Sequence, residues 1–456
     1  MVAVVKHEHW SSRFTFIMAA VGSAVGLGNI WRFPYITGEN GGGAFILIYL
    51  ATMALIPLPI LIAEIMLGRM GQQSPINAIR NVVRGNALNP LWQLIGWGSV
   101  LGAFIVLSYY SVIGGWAVRY MVDGFAGAFA GLKGTGSEDH FAAFTGSASS
   151  LLFWHTAFMA VCIAIVVGGL KRGIELAVSV LMPLLFALLV ALVVYAMTTP
   201  GFLQAFAFIF NPDFSKVTPL TFLTAIGQGF FSLSVALAAM MTYGAYLDRD
   251  VSIGRSALWI AGADTLVALL AGLAIFPLVF SFALEPGAGP GLIFVTLPTA
   301  FGQLGSLVGG LFFLLLTVAA VTSAISLLEP VVSWSEERFG ASRPLTAIVA
   351  GIAAWFLGIA SALSFNAWAG FAPLAPFGIM ETSTVFDVFD FSVTNLLMPT
   401  IGLLMSLLAG WALTGATVAD ALGTSAETRW FKLWRFAIRF LAPAGVVAIF
   451  IVNVVA

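Results

Sequence analysis

Gly22-Ser-Ala-Val-Gly26-Leu-Gly28-Asn29 interrupts an apolar segment that is otherwise long enough to cross a membrane. Each glycine weakens a helix by about 1 kcal/mol relative to alanine. Small residues also let membrane helices pack closely, so one such stretch has two readings. A second stretch favours one of them. Gly227-Gln-Gly-Phe-Phe231-Ser232-Leu-Ser234-Val-Ala236 interrupts another apolar segment, five segments later. Two breaks at that interval point to two inverted five-span repeats with discontinuous helices 1 and 6. Irregular backbone is tolerated at membrane depth only where it is buried in protein or lines a cavity.

Composition leaves little room for another architecture. Of 456 residues, 60% are hydrophobic and 9% charged, whereas soluble chains carry roughly 25% charged residues. Mean hydropathy is +1.02. A water-soluble fold is excluded, and an all-α integral membrane protein is expected. At ~20 residues per helix, about eleven spans fit, near 13–38, 43–69, 92–124, 151–170, 176–198, 219–246, 255–284, 305–335, 344–363, 385–413 and 432–455. Such runs are too long for the alternating strands of a β-barrel. They form one transmembrane domain over 1–456, with repeats at about 11–198 and 219–413 and an extra helix at about 430–455.

Charge sets orientation and removes other classes. Lys6 and Arg13 ahead of Phe14–Val21 mimic a secretory signal, but the chain runs on into further apolar sequence, so a first transmembrane helix is expected. With the N terminus cytoplasmic, the inner loops hold most of the Lys and Arg. Only Arg119, Lys133 and Lys216 lie outside, and Arg32 stays in the membrane. An odd number of spans then leaves the C terminus outside. A net charge of −1 offers nothing to nucleic acid, and the lone Cys162 excludes an intramolecular disulfide framework. No His-Glu-x-x-His motif, Ser/His pair on adjacent spans or Asp pair suggests an enzyme.

Arg32, Glu64, Asp264 and Glu329 fall inside apolar spans. Each costs roughly 3 kcal/mol at the bilayer centre unless paired or hydrated, so each is a candidate functional residue. Glu64 has the simpler reading of satisfying freed backbone amides. Glu329, just before Pro330, suits a structural or a gating role. Asp264 has no cationic neighbour in its own helix and calls for a cation or a proton. The hydroxyls of Thr322 and Ser323 either bond back to the preceding turn or join a cation site. Oxygen ligands with one carboxylate suit Na⁺ better than a transition metal.

The motifs Glu8-His9-Trp10-Ser-Ser-Arg13, Gly22 to Pro34 and Glu39-Asn-Gly-Gly-Gly-Ala-Phe45 resemble the neurotransmitter:sodium symporter family. So do Glu64 with Gly68-Arg69, Tyr109-Tyr110, Gly227 to Ser234, Thr242-Tyr243, Thr296-Leu-Pro298 and Thr322-Ser323, together covering nearly the whole chain. The resemblance implies the LeuT-like fold of the eleven-span bacterial type, in the cell's inner (plasma) membrane. It implies alternating-access symport of an amino acid with two Na⁺ and no obligate protein partner. One sodium would use the Ala24 carbonyl, Asn29, Ser232, Asp264 and the substrate carboxylate. The second would use carbonyls of Gly22, Val25 and Ala319 with the Thr322 and Ser323 hydroxyls. The substrate carboxylate would meet the amides of Leu27 and Gly28 and the Tyr110 hydroxyl. Its ammonium would face carbonyls of Ala24, Phe231 and Ser232.

Gly26 stands where monoamine-transporting relatives carry an aspartate, so the resemblance implies a substrate with its own carboxylate. Val106, Tyr110, Phe231, Ser234, Leu237, Ser323 and Leu327 would line a neutral, mostly apolar side-chain pocket. Arg32 and Asp390, with Tyr110 and Phe231 as a lid, would form the outer gate. Glu337 would serve the inner gate opposite His7 and Lys6, with Trp10 beside it. Gly173 and Pro183 carry the spacing with which relatives unwind the fifth span. Asp264 replaces the usual asparagine, and Ala268 stands where relatives place a chloride-binding serine or an acid. Asp264 then supplies the charge that chloride supplies elsewhere, making transport chloride-independent. Rival readings are a proton-coupled transporter of the same fold and a non-transporting amino-acid sensor.

Overall fold

The computed structural model describes residues 9–132, 135–287, 289 and 291–455. Lys6, His7, Glu8 and Lys133 lie outside them. Nine long apolar helices are present among the described residues. They are span two (Gly43–Gly71), three (Pro90–Phe125), four (Ala148–Val167), five (Leu170–Ala196), seven (Ile253–Ser281), eight (Ser306–Phe339), nine (Arg343–Leu363), ten (Val385–Ala412) and eleven (Arg429–Ile451). Span one is a pair, Arg13–Ala24 and Gly28–Glu39, bent by 49°. Span six is split into Pro219–Ser232 and Ala239–Ala245. The eleven expected segments are therefore nine long helices, one bent pair and one segment too divided to cross as a single helix. Short helices occupy connections that composition alone left as loops: Pro75–Gly85, Gly136–Thr145, Phe202–Phe210, Leu297–Leu304 and Gly415–Ala421.

Two packed groups emerge. Spans three and eight, the longest, lie along one another, and spans four and nine pack against both. The halves of span six pack on span two, and span one packs on span seven, its first half lying also against spans five and eight. Bare backbone makes the second group tight. A Cβ at Gly244 would overlap the Ile65 carbonyl, and one at Gly68 would overlap the Met241 carbonyl. Span two kinks at Ile56, where Pro57 opens a new helix with no amide to give the turn before it. Span five begins as a wide π-type turn over Leu170–Glu175 and continues as helix through Pro183, so residues 176–196 are helical here rather than unwound.

Gly68→Ala should strain this joint by about 1–3 kcal/mol. A built Cβ at the exposed Gly262 meets nothing within 4 Å, and Gly262→Ala should raise stability by up to ~1 kcal/mol. Thermal melts of the two purified variants should therefore move in opposite directions.

Candidate functional site

Both breaks are held open by named side chains. In span one the helix stops at Ala24, and the Asn29 Oδ1 accepts the Gly26 amide at 3.2 Å. Gln228 Nε2 reaches across from span six to the Gly28 carbonyl at 2.9 Å. None of Gly22, Gly26 and Gly28 has a positive φ. They are there for space. A Cβ at Gly26 would overlap Ser323 Oγ and approach the Tyr110 hydroxyl to 2.9 Å, and one at Gly28 would lie 3.1 Å from the Phe231 ring. The unusual backbone is in span six, where Ser234, Ala236 and Ala238 have φ of 50°, 69° and 63°. Left-handed conformations cost non-glycine residues about 1–2 kcal/mol each. The fully buried Glu64 holds them, accepting the Ala236 amide at 2.8 Å with the Ala238 and Met241 amides facing the same carboxylate.

At the junction of spans one, two, six and seven, polar groups converge on Asp264. Asn29 Nδ2 donates to its Oδ1 at 2.8 Å, and Ser232 Oγ lies 2.9 and 2.8 Å from its two oxygens. The Tyr49 hydroxyl donates to Oδ2 at 3.3 Å. Asn29, Ser232 and Asp264 are thus together, with Ala24 on the adjoining break, and Tyr49 joins them without having been anticipated. No described Lys, Arg or His forms an ion pair with this carboxylate. Oxygens around one uncompensated carboxylate suit a hard monovalent cation.

On the other side of span one, the two hydroxyls of span eight behave differently. Thr322 Oγ1 bonds back to Val318 and Ala319 carbonyls at 3.2 and 3.0 Å. Ser323 Oγ instead crosses to span one, 3.4, 3.1 and 3.5 Å from the carbonyl oxygens of Gly22, Ser23 and Val25. Ser23, also unanticipated, accepts Ser234 Oγ on its carbonyl at 3.1 Å and bonds Ser326 through its hydroxyl at 2.8 Å. One residue thereby ties both breaks to span eight.

Between the two clusters lies a cavity of about 20 Å³. Its walls are Ala24, Gly26, Leu27, Gly28, Val106, Tyr110, Phe231, Ser234, Leu237, Ser323 and Leu327. Ser232 faces Asp264 instead. The Leu27 amide donates to the Tyr110 hydroxyl at 3.2 Å. No charged side chain lines the cavity.

The sodium:neurotransmitter symporter family model matches residues 7–135 and 146–456. The chain belongs to that family. It is accordingly a sodium-dependent, multi-pass membrane transporter rather than an enzyme. It is 37% identical over 452 residues to the sodium-dependent transporter YhdH of Bacillus subtilis, covering 98% of this chain and 97% of that one. It is 23% identical over 500 residues to the human sodium- and chloride-dependent GABA transporter 2, covering 98% and 80%. The crystal structure of MhsT in complex with L-phenylalanine superposes with a TM-score of 0.89 at 40% identity, covering 98% and 99%. The fold is therefore the LeuT fold.

The residues expected at the symporter's gates are found in these places. Arg32 lies over the Phe231 ring, 4.6 Å from its centroid, while Asp390 accepts the Tyr109 hydroxyl at 3.0 Å. Among the described residues no Arg32–Asp390 ion pair forms. Arg32 is held by the aromatic ring and by Tyr35, so the expected pair is a near approach here. At the face carrying the N terminus, Trp10 is buried and donates through Nε1 to the Tyr243 carbonyl at 3.0 Å. The Ser11 amide and hydroxyl both donate to Glu175, each at 2.7 Å. Glu337 accepts the Ser74 amide at 2.7 Å, the Ser74 hydroxyl and Asn77 Nδ2. The expected partners His7 and Lys6 lie outside the described residues. Buried Glu329 pairs with Arg343 from span nine and accepts the Tyr246 hydroxyl at 2.9 Å.

Removing one member of a buried ion pair costs about 3–5 kcal/mol, because the other charge is left uncompensated. Arg343→Met should therefore destabilise the symporter more than Glu329→Gln. The double variant should recover part of the loss. Thermal melts of the four proteins form the cycle, and strictly additive losses would show that the pair is not coupled.

Proposed function

We propose that this symporter carries a neutral, hydrophobic L-amino acid into the cell with two Na⁺, by alternating access and without chloride. The observation that carries the reading is Gly26 itself, which puts no acidic side chain at the break and where even a Cβ would collide with Ser323 Oγ. Beside it the Leu27 amide donates to the Tyr110 hydroxyl, and Gly28 opens the second half of span one. Amides at the start of a half-helix favour an anion. The substrate brings its own carboxylate, and its ammonium faces carbonyls of Ala24, Phe231 and Ser232. Apolar Val106, Leu237 and Leu327 with Phe231 take the side chain. The complex of MhsT with L-phenylalanine supports this class of cargo.

The first Na⁺ uses the Ala24 carbonyl, Asn29, Ser232 and Asp264, with the substrate carboxylate completing its shell, so ion and cargo bind together. The second uses the carbonyls of Gly22, Val25 and Ala319 with the hydroxyls of Thr322 and Ser323. Thr322 gives up a bond to its own turn when it turns toward the ion. Loss of this ion loosens the first half of span one, which Trp10, Ser11 and Ser23 also tie to its neighbours. Spans one, two, six and seven move against three, four, eight and nine. Repeats of about 11–198 and 219–413 supply the two halves of the movement. The N terminus faces the cytoplasm across the inner membrane, as the Lys/Arg bias requires.

A scintillation-proximity screen of the twenty amino acids on the purified protein, in Na⁺ and in K⁺, tests the cargo. Neutral apolar amino acids should bind in Na⁺ alone. Equal binding in K⁺ overturns the coupling, and preference for amines lacking a carboxylate overturns the cargo.

Chloride provides a separate test. Asp264 places a fixed negative charge within reach of Asn29, Ser232 and Tyr49. Replacing chloride by gluconate should leave uptake into proteoliposomes unchanged. Asp264→Asn should lower uptake about tenfold or more in gluconate, since a buried cation loses the one carboxylate that the chain supplies to it. Loss of wild-type uptake in gluconate would overturn this assignment.

A further inference from the structure

A second cavity, of about 490 Å³, opens at the face carrying the N terminus, where span seven begins. It is walled by Ile62 of span two, Ser252, Gly254, Arg255 and Leu258 of span seven, and Leu422, Gly423, Thr424 and Trp430 leading into span eleven. No acidic residue lines it. The Arg255 side chain forms no ion pair or hydrogen bond among the described residues. Directly along the helix from it, Leu258, Trp259, Gly262 and Leu266 are exposed. Their spacing of three or four residues puts them on one face of span seven. Leu258 and Trp259 are 61% and 66% exposed. The Trp430 ring closes the opposite wall against Gly254, where a Cβ would stand 3.4 Å from it.

We propose that this cavity binds the headgroup of an anionic glycerophospholipid, with an acyl chain lying on the apolar stripe below it. Its volume falls in the range of small-molecule sites. An arginine without a counter-charge selects a phosphate carrying net negative charge, and basic pockets between membrane helices bind such headgroups. The Ser252 hydroxyl caps no amide of its own helix and is available to a phosphate or glycerol oxygen. The continuous apolar stripe beneath Arg255 favours a lipid over a free anion. The bound lipid would bridge spans two, seven and eleven, one of which also carries Asp264.

The test uses the full-length protein in detergent, titrated with dioleoylphosphatidylglycerol, dioleoylphosphatidylcholine or inorganic phosphate. Native mass spectrometry reads retained lipid, and thermal melting reads stabilisation. The wild type should retain one phosphatidylglycerol and melt a few degrees higher with it than with phosphatidylcholine. Arg255→Gln should lose retention about fivefold, as expected for one basic contact. Arg84→Gln, which removes another exposed arginine at the same face, should keep it. Equal loss in both variants would reduce the effect to general surface charge and overturn the site. Equal retention of phosphatidylcholine, or the same stabilisation by inorganic phosphate, would also overturn it.

Discussion

Everything in this molecule follows from one constraint: in hydrocarbon, every backbone amide and carbonyl must find a partner within the protein. Unbroken helices meet it automatically. Spans one and six do not, and the protein meets the difference with side chains placed elsewhere. Glu64 of span two takes the amides freed in span six. Gln228 of span six and Asn29 take groups freed in span one. Ser323 of span eight takes carbonyls on the far side. The broken helices are therefore stabilised reciprocally and by their neighbours. Close backbone approaches at Gly68 and Gly244 accordingly lie where span two meets the second half of span six.

The same constraint explains the placement of scarce charge. Glu64 neutralises nothing; it serves as an acceptor. Glu329 is paired with Arg343 from a neighbouring helix. Arg435 and Arg439 of span eleven donate to the carbonyls of Ala409, Leu413 and Gly410, the open end of span ten. Among the described residues these buried charges serve as caps or pairs, and Asp264 does neither. Asp264 has hydroxyl and amide donors but no cation from the chain. Solvation by three donors keeps it in place, and a sodium-dependent transporter has an obvious use for the remaining charge.

Much of this was legible in the sequence, and what was missed was missed for physical reasons. Both breaks were visible as glycine- and serine-rich interruptions in apolar runs. Of the two roles that such glycines can play, weakening a helix and giving room, Gly26 and Gly28 show the second, leaving space for Ser323, Tyr110 and Phe231. The strain falls instead on Ser234, Ala236 and Ala238, residue types that carry no such signal. Tyr49 and Ser23 were overlooked because a hydroxyl in an apolar run does not declare which face of the helix it occupies. The short helices between spans were lost because an amphipathic connector lies along a surface that the chain's own sequence does not describe. The pairing of Arg343 with Glu329 is not legible locally, since it depends on how span nine begins beside span eight.

The cavity itself limits how the transporter works. About 20 Å³ holds roughly one water molecule, far less than any amino acid. Its walls come from both packed groups: Gly26, Phe231 and Leu237 from one, Val106, Tyr110 and Leu327 from the other. In the proposed site, cargo would enter only if these groups separated, because neither group alone encloses the space and close-packed cores do not dilate continuously. The links that must yield are hydrogen bonds across the boundary, Leu27 to Tyr110 and Ser323 to the span one carbonyls. Each is worth about 1 kcal/mol net. The groups that the proposed cargo and ion would engage are therefore the same groups that hold the two sides together. In the proposed cycle, binding would replace these bonds rather than add to them and so hold opening and closing near balance.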